Sequence, residues 1–325
     1  MENILEIRGL TKTYPGVVAL NNLSLSVRRG ECHAIVGENG AGKSTLIKSV
    51  AGAITPDSGT ITFEGTEYTS LDPTLSKKIG IGVIYQEFVL CPALTIAENI
   101  FLGERLTPGA FQNEALMNQK AQEILDRFKV EGLKATALVR DLSTAYQQLV
   151  EIAKAIAKKS KLIIMDEPTA PLTEREVSVL FRIIQELKAS GITIIYISHR
   201  LDELYEVSDR VTVMRDGCYI TTTDTADVTK DQLIAYMVGR ELKKDFTERA
   251  SKTEEVLLET KNLGGNGVQP FSIKLHKGEV LGLGGLVGAG RTEYAQLIFG
   301  AAPKECGSIY LNGQKIEINS PEDAV

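Results

Sequence analysis

Features that are scarce in this chain exclude several classes of protein. Its four cysteines lie far apart with no C-x-x-C pair, so the sequence predicts neither a zinc site nor a disulfide framework. No apolar run is long enough to span a bilayer, and the first residues begin a strand pattern instead of a signal peptide. The net charge of -6 provides no broad positive field for a nucleic-acid backbone. We therefore expect a protein of a reducing cytosol that binds phosphate only locally and reaches a membrane only through a partner.

One glycine-rich stretch, residues 37–44, matches the phosphate-binding pattern G-x-x-x-x-G-K-S at every fixed position. Lys43 is expected to reach the β and γ phosphates of a nucleoside triphosphate, and the Ser44 hydroxyl to bind Mg²⁺. A predicted strand at 32–36 precedes this loop, and a predicted helix at 45–51 presents its positive N-terminal end to the phosphates. The predicted nucleotide-binding residues are Gly37, Asn39, Gly40, Ala41, Gly42, Lys43, Ser44 and Thr45.

The hydrophobic pattern predicts an α/β fold of the P-loop NTPase type. Residues 5–14 and 19–27 alternate apolar and polar side chains, as antiparallel strands with one solvated face do. Helical spacing at 114–130 and 144–158 predicts a helical insert at about 87–158. Continuous apolar strands are predicted at 82–85, 162–165, 192–197 and 211–214, with an amphipathic helix at 174–188. Such strands alternating with helices indicate a largely parallel sheet covered on both faces, within a first domain at 1–242.

A charge-dense segment at 243–253 is predicted to be a linker, and a partial repeat follows it at 254–325. Six glycines of the first domain recur at a constant separation of 248, as Gly285 follows Gly37 (285 − 37). A gap-free register of this kind predicts a second copy of the fold. The copy stops at Val325, ahead of the counterpart of Gln86 and of every later motif, so we expect the chain to be a fragment of a longer protein.

Two adjacent carboxylates, Asp166 and Glu167, end the apolar strand predicted at 162–165. Acidic groups at the end of a buried strand are costly unless a positive charge lies beside them. Mg²⁺ would supply that charge, bound by Asp166 directly or through water. Glu167 is then predicted to act as the general base that orients and deprotonates the attacking water.

Three further residues are candidates with competing explanations. Gln86 follows the strand predicted at 82–85, where it could contact Mg²⁺ and the γ phosphate, although it could equally be an ordinary loop glutamine. His199 follows the strand predicted at 192–197 and could donate a hydrogen bond to the γ phosphate, but a lone histidine is more often structural. Tyr14 could stack on adenine, although strand tyrosines are common in cores.

Taken together, these motifs resemble those of the ATP-binding subunits of ABC transporters, in particular the bacterial monosaccharide importers that fuse two cassettes in one chain. The resemblance also rests on Asp141-Leu142-Ser143, on residues 165–173 and on residues 196–200. It implies that Tyr14 stacks on adenine, that His199 is the switch histidine, and that Gln86 with the segment after it contacts the membrane subunit. The residues it implies for catalysis are Glu167, His199, Gln86 and Lys43, with Ser44, Gln86 and Asp166 at the metal and Ser143 at the nucleotide.

The resemblance implies an ABC cassette, with a mixed core sheet, an antiparallel β subdomain and a helical insert, followed by the start of a second, degenerate cassette. It also implies an ATPase, with ATP and Mg²⁺ as cofactors, that powers sugar import from the cytoplasmic face of the membrane. The expected partners are permease subunits and, indirectly, a sugar-binding protein, with no nucleic acid. A non-transport ABC ATPase and a regulatory ABC scaffold remain alternatives; the short linker and acidic charge disfavour the first.

Two departures from the family pattern are informative. Leu142-Ser143 is followed by Thr144-Ala145-Tyr146 where the family has Gly-Gly-Gln, and Arg291 stands where the second P-loop would have its lysine. In the family, cassettes pair head to tail, so both departures fall on one composite nucleotide site. The resemblance therefore implies a catalytic asymmetry, in which the first P-loop with Asp166 and Glu167 hydrolyses ATP and the other site is weak or structural.

Overall fold

The structure, a computed structural model, describes residues 2–104, 106, 113–128, 130, 132–239, 253–285 and 288–325. The chain divides into two compact units, Met1–Leu242 and Lys243–Val325. The predicted linker at 243–253 lies outside the described residues except for Thr253. None of the helices in the described ranges is long and apolar enough to cross a membrane.

The first unit contains strands and helices in alternation after an initial hairpin. Its strands are β1 (Asn3–Tyr14), β2 (Val17–Arg28), β3 (Cys32–Val36), β4 (Ser58–Phe63), β5 (Thr66–Tyr68), β6 (Ile81–Ile84), β7 (Leu162–Asp166), β8 (Thr193–Ile197), β9 (Arg210–Arg215) and β10 (Cys218–Asp224). Its helices are α1 (Lys43–Val50), α2 (Pro73–Ile79), α3 (Ile96–Ile100), α4 (Glu114–Asp126), α5 (Thr144–Ala157), α6 (Glu174–Ala189), α7 (Leu201–Val207) and α8 (Lys230–Val238).

An antiparallel sheet with the order β2-β1-β4-β5 forms one layer. Along β1 the burial follows the alternation in the sequence, since Leu5 and Ile7 are buried whereas Arg8 is exposed. The buried face packs in one cluster with α1 and with one face of the central sheet. This arrangement sets the β1–β2 hairpin beside the P-loop helix.

The central six-stranded sheet has the order β10-β9-β3-β8-β7-β6, and its five strands other than β10 run parallel to their neighbours. Successive residues of one strand enter different cores: Tyr196 packs with α5, α6 and α7, whereas Ile195 and Ile197 pack with α1. Both faces are covered, as the continuous apolar strands predicted. The carboxyl ends of β3, β6, β7 and β8 lie along one edge of this sheet, which is where open α/β sheets bind ligands.

Some predicted boundaries were wrong by one to four residues. β6 begins and ends one residue earlier than the strand predicted at 82–85, because its ladder to β7 runs from Ile81 to Ile84. The helix predicted at 114–130 ends at Asp126, and Phe128 beyond it still packs into the core. The apolar spacing in the sequence thus extends beyond the last residue of the helix, because Phe128 in the following turn packs in the same core cluster as the helix.

The second unit follows the element order of the first except at β3, whose corresponding segment forms no strand. It contains β11 (Val256–Gly265), β12 (Val268–Phe271), β13 (Lys274–His276), α9 (Arg291–Phe299), β14 (Cys306–Leu311), β15 (Gln314–Ile316) and α10 (Pro321–Ala324). Its small core gathers Leu263, Tyr294, Leu297, Ile309 and Ile318. Cross-strand pairing has the same register in both units, with Thr260↔Ile309 and Leu263↔Phe271 standing where the first unit has Ile7↔Ile61 and Leu10↔Leu23.

The segment of the second unit that corresponds to β3 forms no strand. Residues 280–284, which correspond to β3, belong to no strand, and Val280 is 97% exposed. In the first unit β3 pairs with β8 and β9 on its two sides. Without such neighbours an apolar segment has no ladder to complete and no face to cover it.

Candidate functional site

The glycine-rich loop between β3 and α1 is shaped by close contacts with the backbone around it. A Cβ on Gly42 would lie 2.3 Å from the carbonyl oxygen of Ala19, and one on Gly37 would lie 2.4 Å from that of Met214. Gly42 also has φ +94°, in the left-handed region. No side chain caps α1, and its first turn carries no acidic residue. Its N-terminal N–H groups are therefore available to an anion.

The ammonium group of Lys43 folds back over the loop that precedes it. Nζ donates to the carbonyl oxygens of Gly37 at 2.6 Å and Glu38 at 3.0 Å. Burial lowers the pKa of Lys43, and the carboxylates of Glu167 and Asp166 oppose that shift. The positive charge thus lies over the loop and within electrostatic reach of both acidic residues. Of the other predicted nucleotide-binding residues, Asn39, Gly40 and Ser44 are exposed. Thr45 is partly buried, and Ala41 is buried.

Asp166 is the last residue of β7, and Glu167 follows it in a left-handed conformation with φ +48°. Burial raises the pKa of Asp166, the charge of Glu167 raises it further, and Lys43 and Lys48 lower it. The net rise in the pKa of Asp166 means that burial, together with the charge of Glu167, outweighs the two lysines. An additional cation at this position would relieve the repulsion.

The loop after β8 brings His199 to Glu167. Nδ1 of His199 lies 3.2 Å from Oε1 of Glu167, and the Glu167 N–H donates to the carbonyl oxygen of Ile197 at 2.9 Å. His199 is exposed whereas Glu167 is mostly covered. The structural role that we considered for a lone histidine, as a helix cap or a buried side chain, does not apply at this position.

Gln86 lies exposed in the loop after β6, at the same sheet edge as Asp166. Tyr85 precedes it, and burial followed by the charge of Asp166 raises the pKa of Tyr85. The tyrosine is thus within electrostatic range of Asp166, although no sequence pattern distinguished it from an ordinary strand residue.

Tyr14 ends β1 with its side chain 41% exposed, so it is not a core tyrosine. The preceding residues are held by Asp57, which accepts hydrogen bonds from the N–H and hydroxyl of Thr13 and pairs with Lys12 at 2.8 Å. Lys12 Nζ lies 5.7 Å from the centre of the Tyr14 ring. An aromatic face at this place is available for a base to stack on. Asp57 was missed from the sequence because its partners are more than 40 positions away.

Ser143 is the N-cap of α5 in the helical insert, where its Oγ accepts from the N–H of Tyr146 at 3.4 Å. Thr144 and Ala145 occupy the first turn of that helix. The backbone of Thr144 and Ala145 is helical, so neither position requires glycine. The cost of losing glycine falls instead on how closely a ligand can approach.

Known proteins resemble this chain along nearly its whole length. A protein of Agrobacterium fabrum is 46% identical to this chain over 99% of the chain's length. That protein is named as a ribose/galactose/methyl galactoside import ATP-binding protein. A ribose import ATP-binding protein of Rubrobacter xylanophilus is 44% identical over 100% of this chain. The chain spans 64% and 65% of the length of these two relatives.

Solved structures resemble about seven tenths of the chain. A nucleotide-free ATP-binding cassette from an ABC transporter matches with a TM-score of 0.63 and 30% identity, over 73% of this chain and 96% of its own. A dimeric cassette in a post-hydrolysis state, bound to ADP and phosphate, matches with a TM-score of 0.60 and 27% identity, over 68% and 98%. Residues 20–170 match the family model of the ABC transporter. The chain therefore belongs to the ATP-binding cassette family of ABC transporters.

Proposed function

We propose that this chain is the ATP-hydrolysing part of an importer that moves a monosaccharide through a membrane permease. The supporting observation is the convergence of the phosphate loop, Asp166, Glu167 and His199 at the carboxyl edge of one sheet. Burial and the charge of Glu167 raise the pKa of Asp166, and a carboxylate perturbed in this way beside a phosphate loop favours a catalytic site over a structural scaffold.

The nucleotide is held by the loop at 37–44 and by the N-terminus of α1. The phosphates replace the carbonyl oxygens of Gly37 and Glu38 as acceptors for Lys43 Nζ, because an anion is the stronger partner. Tyr14 stacks on adenine from the end of β1, and Asp57 holds the residues before it. Ser143 contributes from its own cassette to a nucleotide held by a partner cassette, as the head-to-tail pairing implied by the resemblance to ABC cassettes requires.

The residues present fit a magnesium ion. Burial and the charge of Glu167 raise the pKa of Asp166, so a cation beside this carboxylate would be favourable, and Ser44 and Gln86 offer exposed oxygen ligands. Mg²⁺ typically takes one or two carboxylates and completes its shell with phosphate and water. When bound, the ion neutralises charge on the phosphates.

Glu167 acts as the general base. One of its carboxylate oxygens accepts a proton from the attacking water, and its contact with His199 Nδ1 holds the carboxylate in a single orientation. His199, exposed at the same edge, donates to the γ phosphate from Nε2; because Nδ1 faces the Glu167 carboxylate, this arrangement has a proton on both ring nitrogens. Closing of two cassettes around ATP and their opening after hydrolysis would then move the membrane partner.

The transport role draws on the relatives that are named for sugar import as ATP-binding proteins. A chain of this kind lies at the cytoplasmic face of the membrane, bound to permease subunits and serving a sugar-binding protein. Gln86 and the exposed segment after it form the surface offered to the permease.

The second unit is the beginning of a second, degenerate cassette. Its support is the coincidence of element order and pairing register with the first unit. Arg291 begins α9 where Lys43 begins α1, and β11 and β12 present no aromatic residue equivalent to Tyr14. Arg291→Ala should consequently cost much less turnover than Glu167→Gln, and equal losses would contradict the asymmetry.

The test is ATP-dependent uptake of labelled ribose, galactose and xylose in cells that express the chain with its neighbouring permease genes. Wild-type protein should support uptake of one of these sugars, and Glu167→Gln should abolish it at equal protein level. Phosphate release without any dependence on a permease, and with no uptake, would favour the non-transport ATPase. Absence of phosphate release from wild-type protein would favour the regulatory scaffold.

A further inference from the structure

One buried carboxylate, that of Glu203, lies beneath the loops that carry Glu167 and His199 and takes no part in the proposed reaction. Glu203 is on α7 and is 4% exposed. Its Oε2 accepts hydrogen bonds from three hydroxyl groups: Tyr196 at 2.8 Å, Ser198 at 2.8 Å and Thr169 at 3.0 Å. Three donors converging on one oxygen make this an organised site and not a chance burial.

The other oxygen of Glu203 faces a cation. Oε1 lies 2.9 Å from Nη1 of Arg200, as an ion pair whose atoms are not aligned for a hydrogen bond. The Arg200 N–H in turn donates to Oγ of Ser198 at 3.0 Å. The carboxylate therefore contacts the residues on both sides of His199.

The third donor belongs to the other catalytic loop. Thr169 lies two residues after Glu167, on the turn that follows β7. Its hydroxyl and that of Ser198 meet on the same oxygen of Glu203. One side chain thus ties together the loop that carries Glu167 and the loop that carries His199.

We propose that Glu203 is a positioning residue that sets the alignment of Glu167 and His199. The physical reason is the cost of an unpaired buried charge. A buried carboxylate is tolerated only if its hydrogen-bond donors stay in place. Separating the two loops would remove donors from Glu203 and leave a buried charge unpaired, which is unfavourable. Bonds to an ionised acceptor are also stronger than neutral ones, which stiffens the arrangement.

The role rests on the proposed function, in which Glu167 and His199 act on ATP. It does not follow from the sequence pattern, because Glu203 occupies an ordinary position on a short amphipathic helix. Tyr196 supports it from the strand side: burial, followed by the charge of Glu203, raises the pKa of the Tyr196 hydroxyl, which keeps that group a neutral donor.

The first test compares Glu203→Gln with Glu206→Gln in the full chain. Glu206 lies exposed on the same helix and is the matched control. Glu203→Gln should lower kcat at least about tenfold while KM for ATP changes less than about threefold, because only the alignment of the reacting groups is lost. Glu206→Gln should leave both unchanged. An unchanged kcat in folded Glu203→Gln would overturn the proposal.

The second test does not depend on turnover. The imidazole resonances of His199, assigned by their loss in His199→Gln among the three histidines of the chain, are recorded by NMR without nucleotide. They should shift in Glu203→Gln and stay in place in Glu206→Gln. Unshifted resonances would overturn the positioning role even if ATP hydrolysis were confirmed. A wild-type chain with no hydrolysis but with shifted resonances would overturn the proposed function alone.

Two milder variants cover the case in which Glu203→Gln fails to fold. Thr169→Val and Tyr196→Phe each remove one donor and keep the size of the side chain. Each should lower kcat by a smaller factor than Glu203→Gln, with KM retained, and Thr169→Val should also shift the His199 resonances. Wild-type kcat and spectra in both would contradict the role.

Discussion

Oε1 of Glu167 lies 3.2 Å from Nδ1 of His199, so the carboxylate at the end of β7 and the imidazole after β8 form one unit. The parallel pairing of these strands puts their carboxyl ends side by side, and the bond from the Glu167 N–H to Ile197 closes the gap between the loops. The first prediction concerns this pair.

Glu167→Gln should reduce phosphate release by at least about a hundredfold and leave ATP affinity nearly unchanged, because the amide keeps the shape but cannot accept a proton. Steady-state phosphate release and equilibrium binding of a fluorescent ATP analogue measure the two effects. Glu67→Gln, at an exposed residue of β5, is the control. Phosphate release near the wild-type rate would place the base at another residue.

The P-loop glycines offer a matched pair of substitutions. Gly40 and Gly42 both have left-handed φ values, +86° and +94°, so alanine costs about 1–2 kcal/mol at either. A Cβ at Gly40 meets open space, whereas one at Gly42 would lie 2.3 Å from the Ala19 carbonyl oxygen. Gly42→Ala should therefore lower the free energy of unfolding by at least about 1 kcal/mol more than Gly40→Ala.

Denaturant unfolding of the two variants measures that difference, and ATP binding shows whether the loop has moved. Gly42→Ala should weaken binding more than Gly40→Ala does. Equal losses from the two substitutions would mean that the hairpin shifts away from the loop at little cost.

Asp166→Asn should stabilise the nucleotide-free protein. Burial and then Glu167 raise the pKa of Asp166, so ionising it costs more in the folded state than in the unfolded state. The wild-type protein therefore loses stability relative to the variant as pH rises through the carboxyl range, and the two converge at low pH. Melting temperatures from about pH 3 to about pH 7 measure this difference.

The same substitution should reduce the stabilisation that MgATP confers, because the variant lacks the charge that the ion would neutralise. Asp126→Asn, at an exposed residue of α4, is the control. A nucleotide-free Asp166→Asn protein less stable than wild type at neutral pH would show that the carboxylate is structural.

Glu31 should show the opposite pH dependence. Burial raises its pKa, but hydrogen bonds and charges from buried His33, the Arg28 N–H and Arg210 outweigh burial and lower it. The stabilisation is therefore present above the ordinary carboxyl range and is lost as pH falls through the depressed pKa. Asp224, which lies 4.0 Å from Arg210, is the other carboxylate at this cluster.

Unfolding free energies of wild type and Glu31→Gln between about pH 6 and about pH 3 test this prediction. The wild-type slope should be steeper, and the variant should be the less stable protein at pH 6. Parallel slopes would show that Glu31 keeps its ordinary pKa.

Local chemistry made much of the site predictable. Each of the three groups can be recognised from a short stretch of sequence: the glycines around Lys43, the two carboxylates at the end of an apolar strand, and the histidine after the next strand. Parallel strands bring their carboxyl ends to one edge, so the pattern of strands sufficed to place these residues near one another. The departures at Thr144 and Arg291 were likewise visible as residue types.

Contacts between distant residues could not be predicted in this way. Three contacts each join positions far apart in the chain: that of Glu203 with Thr169, that of Asp57 with Thr13, and that of Ala19 with Gly42. Residue order alone thus decided which groups the site contains, whereas packing decided which charges are buried and which loops are tied together.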